Sequence, residues 1–182
     1  IECSEESGSP DLPAYVDHLA DRIGSPTLVV RPDSSCGDYE RMWTTTSLRG
    51  LLGATLEVRV LHEGVHSGSA SGVVPDSFRI ARRLLDRVED AETGRVLVPE
   101  LWAEIPSARE AEIGAVAADL GDALTTSFPY VDGAGPAIAA SEPAAQLRAK
   151  TWEPALTIIG ADGLPPSQTA GNVLRPTTTF AL

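Results

Sequence analysis

The stretch Leu52-Gly53-Ala54-Thr55-Leu56-Glu57-Val58-Arg59-Val60 decides the fold of most of the chain. Leu52, Ala54, Leu56, Val58 and Val60 alternate with Gly53, Thr55, Glu57 and Arg59. A period of two puts the apolar set on one side of a strand and the polar set on the other, so the sequence predicts a long strand with one buried face. One-sided burial is the habit of antiparallel sheets. A glycine- and serine-rich loop from Gly64 to Gly72 follows. Beyond it Val74, Phe78, Ala81, Leu85 and Val88 recur at helical spacing, with Pro75 in the first turn, where a missing N–H costs nothing. Glu92-Thr93-Gly94 closes that helix.

Toward the C-terminus, Val96 to Val98 reads as a short strand. A second helix follows Pro106, with Ile113, Val116, Ala117, Leu120 and Leu124 on one face. Tyr130 to Pro143 is rich in Gly, Ala and Pro and reads as loop. Leu156 to Gly160 reads as a strand, Ala161 to Gln168 as turn or loop, and Thr177 to Leu182 as the last strand. Residues 47–182 thus run β-α-(β)-α-β-β, an α+β domain of two layers with a mainly antiparallel sheet and two helices on one face.

Toward the N-terminus the pattern changes. Leu12, Val16, Leu19 and Ile23 predict one helix, with Pro13 in its first turn and Gly24 at its stop. Thr27-Leu28-Val29-Val30 is an apolar run that fits a buried parallel strand, ended by Pro32-Asp33-Ser34-Ser35. Residues 1–46 therefore read as a short α/β piece. Glu5, Glu6 and Asp33 fall at its strand ends, where sites of α/β sheets form.

Composition excludes some functions. With 26 acidic and 14 basic residues the net charge is −12, which repels phosphate backbones, so nucleic acid is not an expected partner. No apolar run approaches the roughly 20 residues that span a bilayer, and no membrane partner is expected. The opening Ile1-Glu2-Cys3-Ser4-Glu5-Glu6 lacks the basic start and apolar stretch of a secretory leader, and it lacks an initiator Met. The expectation is a piece of a longer cytoplasmic protein. Cys3 and Cys36 form no CxxC pair, so they predict buried or inert thiols, without a disulfide framework or a zinc-thiolate site.

Four short motifs carry candidate chemistry. Adjacent carboxylates such as Glu5-Glu6 can divide labour at a divalent metal, one ligating the ion and one accepting a proton from water; they can equally sit on a solvated surface. Asp33 after a buried strand can ligate zinc or cap a turn. His66, in Glu63-Gly64-Val65-His66-Ser67-Gly68, lies on a loop between glycines, where its imidazole can donate to a developing oxyanion or simply face water. Asn172, in Gly171-Asn172-Val173-Leu174-Arg175-Pro176, can bind a substrate carbonyl or carboxylate, or make a turn. His18 lies off the apolar stripe of the first helix, and His62 lies at a strand end with no evident ligand partner.

The order of these motifs is more telling than any one of them. Glu-Glu-Ser-Gly-Ser, an aspartate about a strand later, Thr46-Ser47-Leu48-Arg49-Gly50, a strand ending in Gly-Val-His-Ser-Gly, and later Gly-Asn-Val-Leu-Arg-Pro resemble the signature of dinuclear zinc metallopeptidases of the aminoacylase and carnosinase type, the family-twenty metallopeptidases. The resemblance is best from Leu48 to Asp90 and poorest from Val96 to Pro154, where it allows Val96 to Val98 to be loop. It implies that residues 1–46 are the end of a catalytic core and that residues 47–182 are a ferredoxin-like lid and dimerisation domain. It implies two zinc ions per active site, with Glu5 as general base and Glu6 and Asp33 as metal ligands; Asp38 is a rival for the last place. It implies that His66 reaches the active site of the partner in a homodimer, and that Asn172 contacts substrate. The family's His-x-Asp histidine, bridging aspartate and final histidine ligand have no counterpart here, so the 182 residues alone are expected to be inactive. The function so implied is cleavage of a dipeptide or N-acyl amino acid amide bond. The alternative is a non-catalytic ferredoxin-like module for dimerisation or small-molecule binding.

Overall fold

The computed structural model describes residues 3–32, 36–136 and 142–182. The chain divides into two compact units, Ile1–Thr45 and Thr46–Leu182.

The first unit holds a 3-10 turn at Glu5–Ser7 and two short helices, α1 (Leu12–His18) and α2 (Ala20–Ile23). Pro13 occupies the first turn of α1, and Gly24 ends α2. The single helix expected across Leu12–Ile23 is thus broken at Leu19, and none of its stripe is buried. Thr27–Val30 is not a strand. Leu28, Val29 and Val30 are 76%, 77% and 74% exposed. The reason is shared: an apolar stripe or a parallel strand needs a sheet to lie against, and the described residues of this unit contain no strand. Cys3 and Cys36 are free and exposed, not buried.

The second unit is α+β. Its elements are β1 (Thr55–Arg59), β2 (Val65–His66), α3 (Ser67–Ala70), α4 (Ser77–Leu85), α5 (Ser107–Leu120), α6 (Ala123–Thr126), α7 (Pro143–Thr151), β3 (Gly160–Asp162), β4 (Val173–Leu174) and β5 (Thr177–Ala181). β1, β5 and β3 form an antiparallel sheet in that order, and β2 pairs antiparallel with β4. The register Val58↔Thr178 and Leu56↔Phe180 gathers the inward side chains that the alternation predicted. Hydrogen bonds between Ala54 and Leu182 extend the ladder beyond β1.

α4 lies on this sheet. Asp76 caps it, its side chain accepting the Arg79 N–H at 2.6 Å. Pro75 therefore precedes the helix, and Val88 falls past its end. Ala81 is fully buried and packs in one cluster with Val58 and Phe180. Phe78 meets Phe180 edge to face, ring centres 6.0 Å apart. Arg79, Arg82 and Arg83 take the solvent side.

The second expected helix does not join the sheet. α5 buries Ile113 and Ala117 against Leu147 of α7, with Val116, Leu124 and Trp152 around them. This helix-on-helix core replaces the expected pair of helices on one face. Arg49 ties the chain before β1 to the end of α7, donating to the carbonyls of Ala149 (3.3 Å) and Glu153 (2.9 Å). Ala149 is in the last turn of α7, whose carbonyls lack intrahelical partners, and Glu153 lies just past its end. The segment expected as loop ends at the start of α7, where Pro143 takes the first turn. Val96 is a buried bridge to Glu89 in a loop rather than part of a strand. The strand expected from Leu156 to Gly160 instead begins at Gly160, as β3, and runs into the residues expected as turn.

Candidate functional site

β1 and β5 continue toward β2 and β4 as one bent ribbon. Between the paired positions Arg59↔Thr177 and Val65↔Leu174, the five residues Val60 to Gly64 face only Arg175 and Pro176. Val60 and Leu61 both donate to the Pro176 carbonyl, at 2.8 and 3.4 Å. An excess of residues on one strand bends a ribbon and puts the surplus outside the ladder. His62 and Glu63 fall within that surplus, and both are exposed. Gly64 lets the strands meet again: a Cβ there would stand 2.8 Å from Val173 Cγ1.

Past the bend, His66 pairs with Val173, and Ser67 N donates to the Asn172 carbonyl at 2.9 Å. Two motifs far apart in sequence thereby become neighbours. The loop expected from Gly64 to Gly72 is in fact β2 followed by the single-turn helix α3. His66 ends the strand and caps that helix, its Nδ1 accepting the Gly68 N–H at 3.1 Å. An imidazole nitrogen that accepts carries no proton, so the neutral ring is protonated at Nε2. The exposed ring therefore offers an N–H outward. Asn172 is also exposed, and its amide supplies both donors and an acceptor. A groove of about 540 Å³ lies beside β4, lined by Val73, Val74, Phe78 and Leu174 together with Asp76, Arg79 and Arg82.

In the first unit Glu5 and Glu6 lie in the 3-10 turn and are exposed. Glu5 Oε1 accepts from Arg31 Nη2 at 2.7 Å. Asp33 lies outside the described residues. Asp38 serves a turn, its Oδ1 accepting the N–H groups of Glu40 (3.0 Å) and Arg41 (2.9 Å). A closed zinc site takes four ligands. Among the described residues no three His, Cys, Asp or Glu side chains gather where they could hold a metal. With Glu5 already on a guanidinium, these residues do not by themselves fit a zinc centre.

No protein-family model matches the chain, and no curated protein matches it by sequence. Solved structures do match. The di-peptidase Dug1p of Saccharomyces cerevisiae superimposes with a TM-score of 0.53 at 19% identity, over 71% of this chain and 26% of its own. Human carnosine dipeptidase 1 gives 0.51 at 17% identity, over 70% of this chain and 26% of its own. Sso-CP2 of Sulfolobus solfataricus, an M20 family metallo-carboxypeptidase, gives 0.62 at 16% identity, over 96% of this chain and 44% of its own. The likeness is one of fold. The chain spans about a quarter of the length of the two dipeptidases and under half that of the carboxypeptidase.

Sequence reasoning missed Gly68 as a site residue. The signal was present, since a glycine two places after the histidine leaves room for the ring over its backbone N–H.

Proposed function

We propose that the chain is part of a metal-dependent peptidase or amidohydrolase that cleaves a dipeptide or an N-acyl amino acid, with residues 47–182 as its lid and dimerisation domain. The observation that carries this reading is the ribbon that sets His66 beside Asn172, a donor and an amide on one exposed edge. The likeness in fold to two dipeptidases and a metallo-carboxypeptidase supports it, and so does the ordered set of motifs.

In this reading Nε2–H of His66 donates to the oxyanion that forms as an amide carbonyl is attacked, acting in the site of a second copy. Asn172 holds a polar group of the substrate. Glu5 collects a proton from the attacking water and returns it to the leaving nitrogen, once a substrate-bound state has freed it from Arg31. Glu6 and Asp33 would supply two zinc ligands, and a complete site would need further ligands from outside these 182 residues. The groove beside β4, with apolar side chains and two guanidiniums against the single carboxylate of Asp76, suits a substrate that carries both an acyl or side chain and a carboxylate.

The test is a panel of dipeptides and N-acyl amino acids offered to the longer protein, with metal content measured alongside. His66→Ala should lower the rate by about a hundredfold or more with metal retained, the worth of one oxyanion donor. Full activity in His66→Ala, or no hydrolysis across the panel by metal-loaded protein, would overturn the reading.

A further inference from the structure

The exposed imidazole of His66 is held at one end only. Its Nδ1 takes the Gly68 N–H at 3.1 Å, and no other hydrogen bond to the ring is found among the described residues. The ring lies directly over the Gly68 backbone. A Cβ built on Gly68 would stand 2.9 Å from His66 Cε1 and 3.0 Å from Nδ1. Any side chain at position 68 must therefore push the ring away from the N–H that holds it. The backbone beneath is fixed from the other side, because Ser67 N is bound to the Asn172 carbonyl and Ser71 N closes α3 on the Ser67 carbonyl, both at 2.9 Å.

We propose that Gly68 is the positioning residue of His66: its N–H and its missing side chain together hold the imidazole in the Nε2–H form and aim that N–H outward. The arrangement has a chemical consequence. A neutral ring held this way donates through Nε2 and has no free lone pair, so at this position His66 is a hydrogen-bond donor rather than a base or a metal ligand. Its use on an oxyanion rests on the function proposed above; the positioning itself does not.

The two are tested separately. Nitrogen-15 NMR of the histidine rings, at about two pH units above the ordinary imidazole value of roughly 6.5, reads the tautomer directly. His18 and His62, both exposed, serve as internal standards. His66 should show a larger Nε2–H population than either standard, and a Nδ1 shift characteristic of a hydrogen-bond acceptor. Gly68→Ala should return His66 to the values of the standards. His66→Asp should preserve the capping of α3, since aspartate also accepts at an N-cap, while removing the outward N–H. A His66 ring in the wild-type chain indistinguishable from the standards would overturn the proposal, and this outcome is readable even if Gly68→Ala fails to fold. An unchanged His66 tautomer in folded Gly68→Ala would overturn it too. In the longer protein Gly68→Ala should lower kcat ten- to a hundredfold with KM little changed, as a misaimed group does. If His66→Ala leaves the rate intact while the tautomer behaves as described, the functional reading falls and the positioning stands.

Discussion

Ser77 and Thr178 show how one residue's surroundings decide the cost of losing it. Their hydroxyls meet at 2.8 Å, both residues are buried, and Ser77 Oγ also reaches the Arg175 carbonyl at 3.3 Å. Ser77 keeps a partner if Thr178 is changed; Thr178 keeps none on its side chain if Ser77 is changed. Ser77→Ala should therefore cost about 1–3 kcal/mol, the price of a buried hydroxyl left unpaired. Thr178→Val, close in shape, should cost less, and Ser77→Ala with Thr178→Val should be milder than Ser77→Ala alone. Urea unfolding of the three variants reads this, and a double variant worse than either single one would count against it. At this scale the sequence singled out candidate residues by their neighbours. His66 stood out because glycines flank it, and Asn172 because it sits between a glycine and an apolar pair. What the sequence withheld was who meets whom. Nothing in the string says that Glu5 lies on Arg31, that Asp38 spends its carboxylate on a turn, or that Ser67 binds the backbone of Asn172. Those are contacts between distant positions, and local pattern carries no record of them.

Elements were legible where their periodicity was long, and misread where a neighbour decided. The alternation of β1 and the stripe of α5 were both visible. α7 was missed although Ala144, Ala145, Gln146, Leu147 and Arg148 are all strong helix formers after Pro143, because the Gly-, Ala- and Pro-rich residues before them read as loop. The partnership of α5 and α7 makes a second prediction. Arg148 grips Glu110 through both Nη2 and Nε, the latter at 3.3 Å from Oε2. The hydrogen bond from Arg148 holds the Glu110 carboxyl below the ordinary glutamate range; partial burial opposes it and the Arg148 charge reinforces it. A carboxyl lowered in the folded state adds stability that is complete above its unfolded value, about 4.3, and is lost as pH falls through the lowered folded value. Glu110→Gln should therefore be less stable than wild type near neutral pH, and the two should converge in acid. The difference should shrink with added salt, because both side chains are partly exposed. Denaturant unfolding at neutral and acid pH measures it, and a gap that persists unchanged into acid would rule out the ion pair as its source.

Across the whole molecule, charge and open strand edges pull in opposite directions. In the sheet β1-β5-β3 the outer edges of β1 and β3 have no strand partner among the described residues. Open edges invite pairing, and a closed two-fold pairing is the simplest way to use one. β1 suits this better than β3, being five residues long against three. If two copies pair antiparallel about Val58, Glu57 of each faces Arg59 of the other, and Leu56 faces Val60. Those cross-strand contacts are favourable but small, about 0.2–1 kcal/mol each. Opposing them is the repulsion between two chains of net charge −12. At about 0.01 M salt the screening length is roughly 30 Å and the full charges repel; at about 0.15 M it is roughly 8 Å, and short-range contacts decide. The expected outcome is self-association that strengthens as salt rises across that range, followed by sedimentation at several protein concentrations. The register has its own signature. Glu57→Lys should abolish the association by setting lysine against arginine. Arg59→Glu added to Glu57→Lys should restore it, because the facing pair is again of opposite sign. A monomer under all these salt conditions would remove the dimer from the proposal. Association that survives Glu57→Lys unchanged would leave the dimer in place and move it off β1.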